Sequence, residues 1–311
     1  MLKKTSSLLG VIFLVISVFL TACAGDKGSP TPQSVTMTDG LGRTIELSGP
    51  ALRIVSMAPS NTELLYAVGA GSQVVGRDDF SDFPEEAKDV ASIGGSMGNY
   101  NNESIVSLTP DLVLASELNT PEQVAALEKL GLKVYLLPNP TDLEGVFTNL
   151  RTVASLTGKT AVAEKLIQEL QARVAIVEEK MAGVESKPLV FYELDATDQN
   201  APYTSGPGTF IDVLLAKAGA KNLGSTLGAA WAQISLEELL VQNPEVILLG
   251  DAVWGGITPE IVAQRAGWEG LAAVQNGMVY PFDDNLVSRP GPRLVDGLEQ
   301  LAKLLHPEQF K

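Results

Sequence analysis

The chain has 311 residues, with 22 Lys and Arg against 37 Asp and Glu, one cysteine and one histidine. A surface of that sign repels nucleic acid and anionic lipid head groups. A lone cysteine excludes a disulfide framework and a thiolate metal site, and a lone histidine, His306, leaves no Ser-His-Asp or Cys-His set to assemble.

In chain order, a basic start, Met1-Leu2-Lys3-Lys4, precedes an apolar run over residues 8–20 that is too short for a membrane span. Leu20-Thr21-Ala22-Cys23 follows the pattern of a bacterial lipobox. It predicts a lipoprotein signal peptide over residues 1–22 and a lipidated Cys23 as the first mature residue. Loss of Lys3 and Lys4 with the leader leaves 20 basic against 37 acidic residues, a net charge of −17. Residues 23–34, rich in Gly, Ser, Pro and Thr, predict a flexible tether.

Residues 35–50 predict a hairpin, and the first α/β lobe extends to residue 141. Its strand Arg53-Ile-Val-Ser-Met57 leads to Ser60-Asn-Thr-Glu63, a capping-box pattern opening a helix that ends near Gly69. Strands follow near Val74, Leu112 and Lys133, with a helix capped by Thr120 and stopped at Gly131. Residues 142–182 contain no proline and keep a helical apolar period, with Gly158 the place for a break or kink. A helix of that length predicts the connector to a second lobe over residues 183–311. That lobe repeats the plan: a strand from Leu189, a long polar loop over 195–209, a helix from Phe210, and later strands near Val246 and Met278. The expected architecture is α/β, two Rossmann-like lobes with parallel sheets joined by a single long connecting helix.

Two segments tie the lobes together. Glu103-Ser-Ile-Val-Ser-Leu-Thr-Pro110-Asp111-Leu and Glu237-Glu-Leu-Leu-Val-Gln-Asn-Pro244-Glu245-Val share a glutamate seven residues before a proline, then an acid and an apolar run. Each predicts a short helix, a turn and a buried strand. One carboxylate then stands at an equivalent point of each lobe, a pair of handles for a two-fold partner. A first-turn glutamate also suits the helix dipole by itself.

Ligands of open α/β sheets lie at the carboxyl ends of strands. The loops predicted there carry Pro59, Ser60, Phe80, Tyr100, Tyr203, Trp231 and Asn285. Aromatic residues are only 6% of the chain, so aromatics in polar loops favour a flat, partly apolar ligand over core packing. Arg289 and Arg293 flank Pro290-Gly-Pro292, and one of them is placed to reach a ligand as a hydrogen-bond fork.

Arg53-Ile-Val-Ser-Met-Ala-Pro59-Ser60-Asn61-Thr62-Glu63 and Asn102-Glu103-Ser-Ile-Val-Ser-Leu-Thr-Pro-Asp-Leu-Val resemble the signatures of the substrate-binding proteins of ABC importers for vitamin B12, siderophores and haem. The resemblance runs from about residue 35 to 307. Pro202-Tyr203-Thr-Ser-Gly206 and Trp231-Ala-Gln-Ile-Ser-Leu-Glu237 are most similar to the vitamin B12 branch. It implies that Glu103 and Glu237 meet arginines on the two permease subunits. It also implies that Phe80, Met97, Tyr203, Trp231, Asn285 and Arg289 face a corrinoid. The chain departs from the branch at Met97, where tryptophan is expected, and at Asn285, where aspartate is expected. The expectation is an extracytoplasmic, lipid-anchored binding protein with no catalysis and no cofactor of its own, its cargo a corrinoid. A ferric siderophore or haem is the rival cargo. An adhesion or sensory lipoprotein and an envelope hydrolase are the rival classes.

Overall fold

The computed structural model describes residues 34–311; the expected signal peptide, Cys23 and the tether up to residue 33 lie outside the described residues. β1 (Val35–Thr38) and β2 (Thr44–Leu47) form the expected antiparallel hairpin. Lobe one then runs β3 (Ile54–Ser56), α1 (Pro59–Ala67), β4 (Val74–Arg77), α2 (Asn102–Ser107), β5 (Leu112–Ser116), α3 (Pro121–Lys129) and β6 (Val134–Leu137). Its four strands are parallel in the order β4-β3-β5-β6. α3 carries the Thr120/Gln123 capping box, and Gly131 past its end is left-handed at φ 84°.

The helical stretch expected over 142–182 is two helices, α4 (Leu143–Thr157) and α5 (Thr160–Met181). The break falls at Gly158, left-handed at φ 73°, where a side chain would also meet Pro50 at 3.0 Å. α4 belongs to lobe one: Asn149 Nδ2 donates to Pro138 O at 2.9 Å, and Ala51 N to Leu156 O at 2.8 Å. The connector is therefore α5 alone, 22 residues whose buried stripe is Ala163, Ile167, Leu170, Val174, Val177 and Met181.

Lobe two contains β7 (Leu189–Asp195), β8 (Tyr203–Ser205), α6 (Phe210–Lys217), β9 (Lys221–Asn222), β10 (Trp231–Gln233), α7 (Leu236–Gln242) and β11 (Val246–Leu249). α8 (Ala252–Gly255), α9 (Pro259–Ala263), α10 (Ala272–Gln275), β12 (Val279–Pro281), α11 (Asn285–Ser288) and α12 (Leu294–Leu305) complete it. Its sheet order is β10-β8-β7-β11-β12, with β9 also pairing β7. The parallel part is as expected, but the polar loop predicted over 195–209 contains β8, which pairs antiparallel with β7 and with β10. β8 and β10 have three residues each, too short for alternation to register against polar flanks.

The sequence repeat is a structural repeat. Glu103 and Glu237 are each the second residue of their helix, capped by Asn101 and Ser235, whose side chains accept from Ser104 N and Glu238 N. Ile105 and Leu239 are the buried residues two positions on. Thr109 and Asn243, each just before its proline, are left-handed at φ 45° and 47°. Asp111 N donates to Arg53 O at 2.8 Å and Glu245 N to Leu189 O at 2.9 Å. The Asp111 carboxylate accepts from Leu52 N and Arg53 N, and that of Glu245 from Leu189 N. Each acid thereby holds the start of the first strand of its lobe, beside which β5 and β11 lie parallel.

One hydrophobic core runs through both lobes and the connector, including Leu64 and Phe147, then Leu170 and Val174, then Leu214 and Leu298. Arg173 of α5 is clamped by Asp296 and Glu299 of α12 at 2.5 and 2.9 Å.

Candidate ligand-binding site

The first turn of α1 is a buried polar turn. Ser60, Asn61, Thr62 and Glu63 are all less than a tenth exposed. Each of the last three has a tertiary partner, because burying such groups unpaired is costly. Asn61 Nδ2 donates to Leu114 O and Ala115 O at 3.1 and 3.0 Å. Thr62 Oγ1 bonds Ser56 Oγ and Ser81 Oγ at 2.8 and 2.7 Å. The expected capping box does not form: the N-cap is Ala58, without a side-chain cap, and Pro59 opens the helix. The Glu63 carboxylate instead receives Arg293 across the lobe junction, at 2.9 Å from Nε and 2.5 Å from Nη2. Arg289 Nη1 reaches Glu63 at 3.4 Å and Asp82 at 2.6 Å. Both arginines are thus engaged between the lobes, and Arg293 also lies over the Phe83 ring, 4.0 Å from its centre.

Around this junction stand the carboxyl ends of both sheets. After β4, Phe80 is 56% exposed while its backbone N–H donates to the buried Asp78 carboxylate at 3.2 Å. Burial raises the Asp78 pKa, partly offset by the hydroxyl of Ser81 and the Phe80 amide. Neighbouring Asp79 accepts from Ser92 Oγ and Ser96 Oγ at 2.5 and 3.0 Å, and so ties down the segment that carries Met97. Those hydroxyls lower its pKa. Tyr100 is half-buried and its hydroxyl donates to Met57 O at 2.9 Å. Asn285 opens α11, and its amide nitrogen is bound to Asp283 Oδ1 at 2.9 Å.

Tyr203 and Trp231 are brought together. The register pairs Trp231 with Ser205 and Gln233 with Tyr203, so both rings lie on one face of the β8–β10 ribbon as diagonal neighbours. They are 45% and 53% exposed, an apolar face with nothing packed on much of it. Glu103 and Glu237 stand apart, exposed on α2 and α7, one per lobe. A groove of about 550 Å³ at the junction is lined by Glu63, Tyr66, Phe83, Pro84 and Pro292 and includes none of the expected ligand residues.

A buried group in lobe two was not foreseen. Glu193 of β7 is paired with Arg265 at 2.5 and 2.8 Å, and Arg265 stacks on Trp268, 4.6 Å from the ring centre. Asp251, 2% exposed, lies near them with Oδ1 unpartnered. Burial and the Glu193 carboxylate push its pKa up to about 7. The only signal in the sequence is an acid two residues past a buried strand, which many solvent-facing turns share.

Two α/β lobes on one connecting helix, with exposed aromatics on loops and short strands around their junction, define a solute-binding protein of the periplasmic type. The chain belongs to the periplasmic binding protein family, whose profile matches residues 54–286. Members of this family bind solutes for transport rather than catalyse reactions. The chain is 30% identical, over the full length of both, to an uncharacterised ABC transporter substrate-binding lipoprotein of Bacillus subtilis. It is 27% identical to a cobalamin-binding protein of Halobacterium salinarum, covering 95% of this chain and 84% of that one. Among solved structures it is similar to the periplasmic vitamin B12-binding protein of Vibrio cholerae, with TM-score 0.71, 27% identity and 84% and 99% of the two chains covered. It is also similar to a periplasmic haem-binding protein of Roseiflexus, with TM-score 0.74, 26% identity and 83% and 98% covered. The chain is an ABC transporter substrate-binding protein, with a small-molecule ligand and a transporter permease as its partners.

Proposed function

We propose that this protein captures cobalamin or a related corrinoid between its lobes and delivers it to a dimeric permease, held at the extracytoplasmic face by lipid on Cys23. The observation that carries the ligand is the Tyr203–Trp231 face, two exposed rings side by side on one ribbon. A corrin macrocycle, flat and largely apolar with polar side arms, suits such a face. The cobalamin- and B12-binding relatives support the same choice. Phe80, Met97, Asn285 and Arg289, with Pro59, Ser60 and Tyr100, complete the expected lining. The corrinoid is cargo, and the protein has no resident cofactor. Glu103 and Glu237 are the handles for the permease.

Haem is the second reading. It is favoured by the haem-binding neighbour and by the exposed phenol of Tyr203, a residue type that ligates haem iron. Titration calorimetry of the mature protein with cyanocobalamin, cobinamide, hemin and ferric siderophores separates the readings. One-to-one corrinoid binding is expected. Tight hemin or siderophore binding with no corrinoid heat at micromolar protein replaces the corrinoid by that ligand.

A further inference from the structure

α8 is a helical turn of four residues with none buried, although it carries Val253 and Trp254. These are 66% and 62% exposed, more than Tyr203 at 45% and Trp231 at 53%. Large apolar side chains with no packing partner at the end of a buried strand call for a partner that is absent. The register locates that end. Asp195 of β7 pairs with Tyr203, and Leu249 of β11 pairs with both Glu193 and Pro281. The carboxyl edge of the lobe-two sheet therefore reads Tyr203, Asp195, the Gly250–Asp251 exit, then Phe282, and α8 rises from its middle. It is fixed below by Gly255 N donating to Asp251 O at 2.7 Å and released above by the left-handed Gly256.

The repeat makes β5 the counterpart of β11, and the turn leaving β5 has the same character. Asn119 is buried and its side chain accepts from Ser116 N at 2.9 Å, closing the turn. Leu118 at its tip is 77% exposed. Beyond β5 by two residues, and beyond β11 by five, an apolar side chain thus stands exposed near the edge where open α/β sheets take ligands.

We propose that Leu118 and Trp254 are a matched pair of ligand contacts, one per lobe, that take the apolar body of the bound solute. The assignment rests on the solute-binding reading above and adds to it two residues outside the family signatures. Trp254 supplies the aromatic surface and Leu118 the opposing aliphatic one. Neither is held by the core, so their substitution spares the fold.

The test uses the mature chain with Trp254→Ser, Leu118→Ser and Trp231→Ala, titrated with cyanocobalamin, hemin and a ferric hydroxamate siderophore. For whichever probe the wild type binds, Trp254→Ser is expected to weaken affinity about 5- to 30-fold and Leu118→Ser less, with melting temperature unchanged. Oxidative footprinting read by mass spectrometry supplies an independent readout. The probe should protect Trp254, while the buried Trp268 stays unreactive with or without it. Unchanged affinity and unchanged Trp254 oxidation overturn the pair while leaving the solute-binding reading intact. So does loss of uptake by Trp254→Ser at full ligand affinity, which assigns the residue to the permease. A wild type that binds none of the three probes overturns the ligand classes and the pair together.

Discussion

Ser60, Asn61, Thr62 and Glu63 show what a single residue reveals from sequence and what it does not. The pattern Ser-x-x-Glu before an apolar run satisfies a capping box, and it equally satisfies four buried tertiary roles. What decides is the arginine pair 226 and 230 residues away from Glu63, which no local pattern contains. The exposure of Tyr203 and Trp231 was legible for the opposite reason: aromatics are scarce here, and these two stand in polar surroundings where no core needs them. Asp251 was illegible, since burial is a property of the fold. Its pKa of about 7 against 3.8 in the unfolded chain means that the native state keeps a proton the unfolded state loses. Stability from this group is present below about pH 4 and lost as pH rises to about 7. Asp251→Asn should therefore stabilise the protein by about 2–4 kcal/mol at pH 8 and by little at pH 4. Urea denaturation across that range measures it, and a gap that does not change with pH refutes the assignment.

At the scale of elements, strands with continuous apolar runs and helices with clear stops were legible, β5 and α3 among them. The strands β8 and β10 were not, because three residues cannot display a period. The connector was legible in outline, but its first third packs on lobe one, and only Gly158 marked the division. The two copies of the glutamate-to-proline segment were the most informative stretch, and they agree in cap, backbone twist and strand register. Both carboxylates are exposed at the second helical position, away from every ion pair among the described residues. Glu103→Ala and Glu237→Ala should each leave ligand affinity and melting temperature nearly unchanged and lower uptake, with the double variant lowest. Charge reversal to Lys should be worse than Ala, since a salt-sensitive attraction of roughly 1–3 kcal/mol becomes repulsion. Uptake in cells carrying the cognate importer, beside calorimetry, is the measurement; normal uptake by the double variant defeats the handle role.

At the scale of the molecule, the lobes are joined by more than α5. They share one core, and the buried Glu63 of lobe one is neutralised by arginines of lobe two. Removing one partner of a buried pair costs more than the pair itself contributes. Arg293→Ala should cost roughly 2–4 kcal/mol, with Arg289 retaining part of the contact, and Glu63→Gln should restore some of that loss. Denaturant titration of the single and double variants tests this, and an Arg293→Ala protein as stable as wild type would show that the junction is not held electrostatically. The lipid, by contrast, is expected to be independent of the folded body. Cys23→Ser should release the protein from membranes with ligand binding intact, and equal fatty-acid labelling of both proteins would rule the anchor out.

The proposed role of Glu103 and Glu237 as permease handles has a consequence for counting states. A partner built of two identical halves presents the same pair of sites after half a turn. The loaded protein then has two equally good ways to land, and an encounter in either pose is productive. That degeneracy is worth RT ln 2, about 0.4 kcal/mol, in association. Removing one handle does not select a pose; it leaves both poses equally impaired.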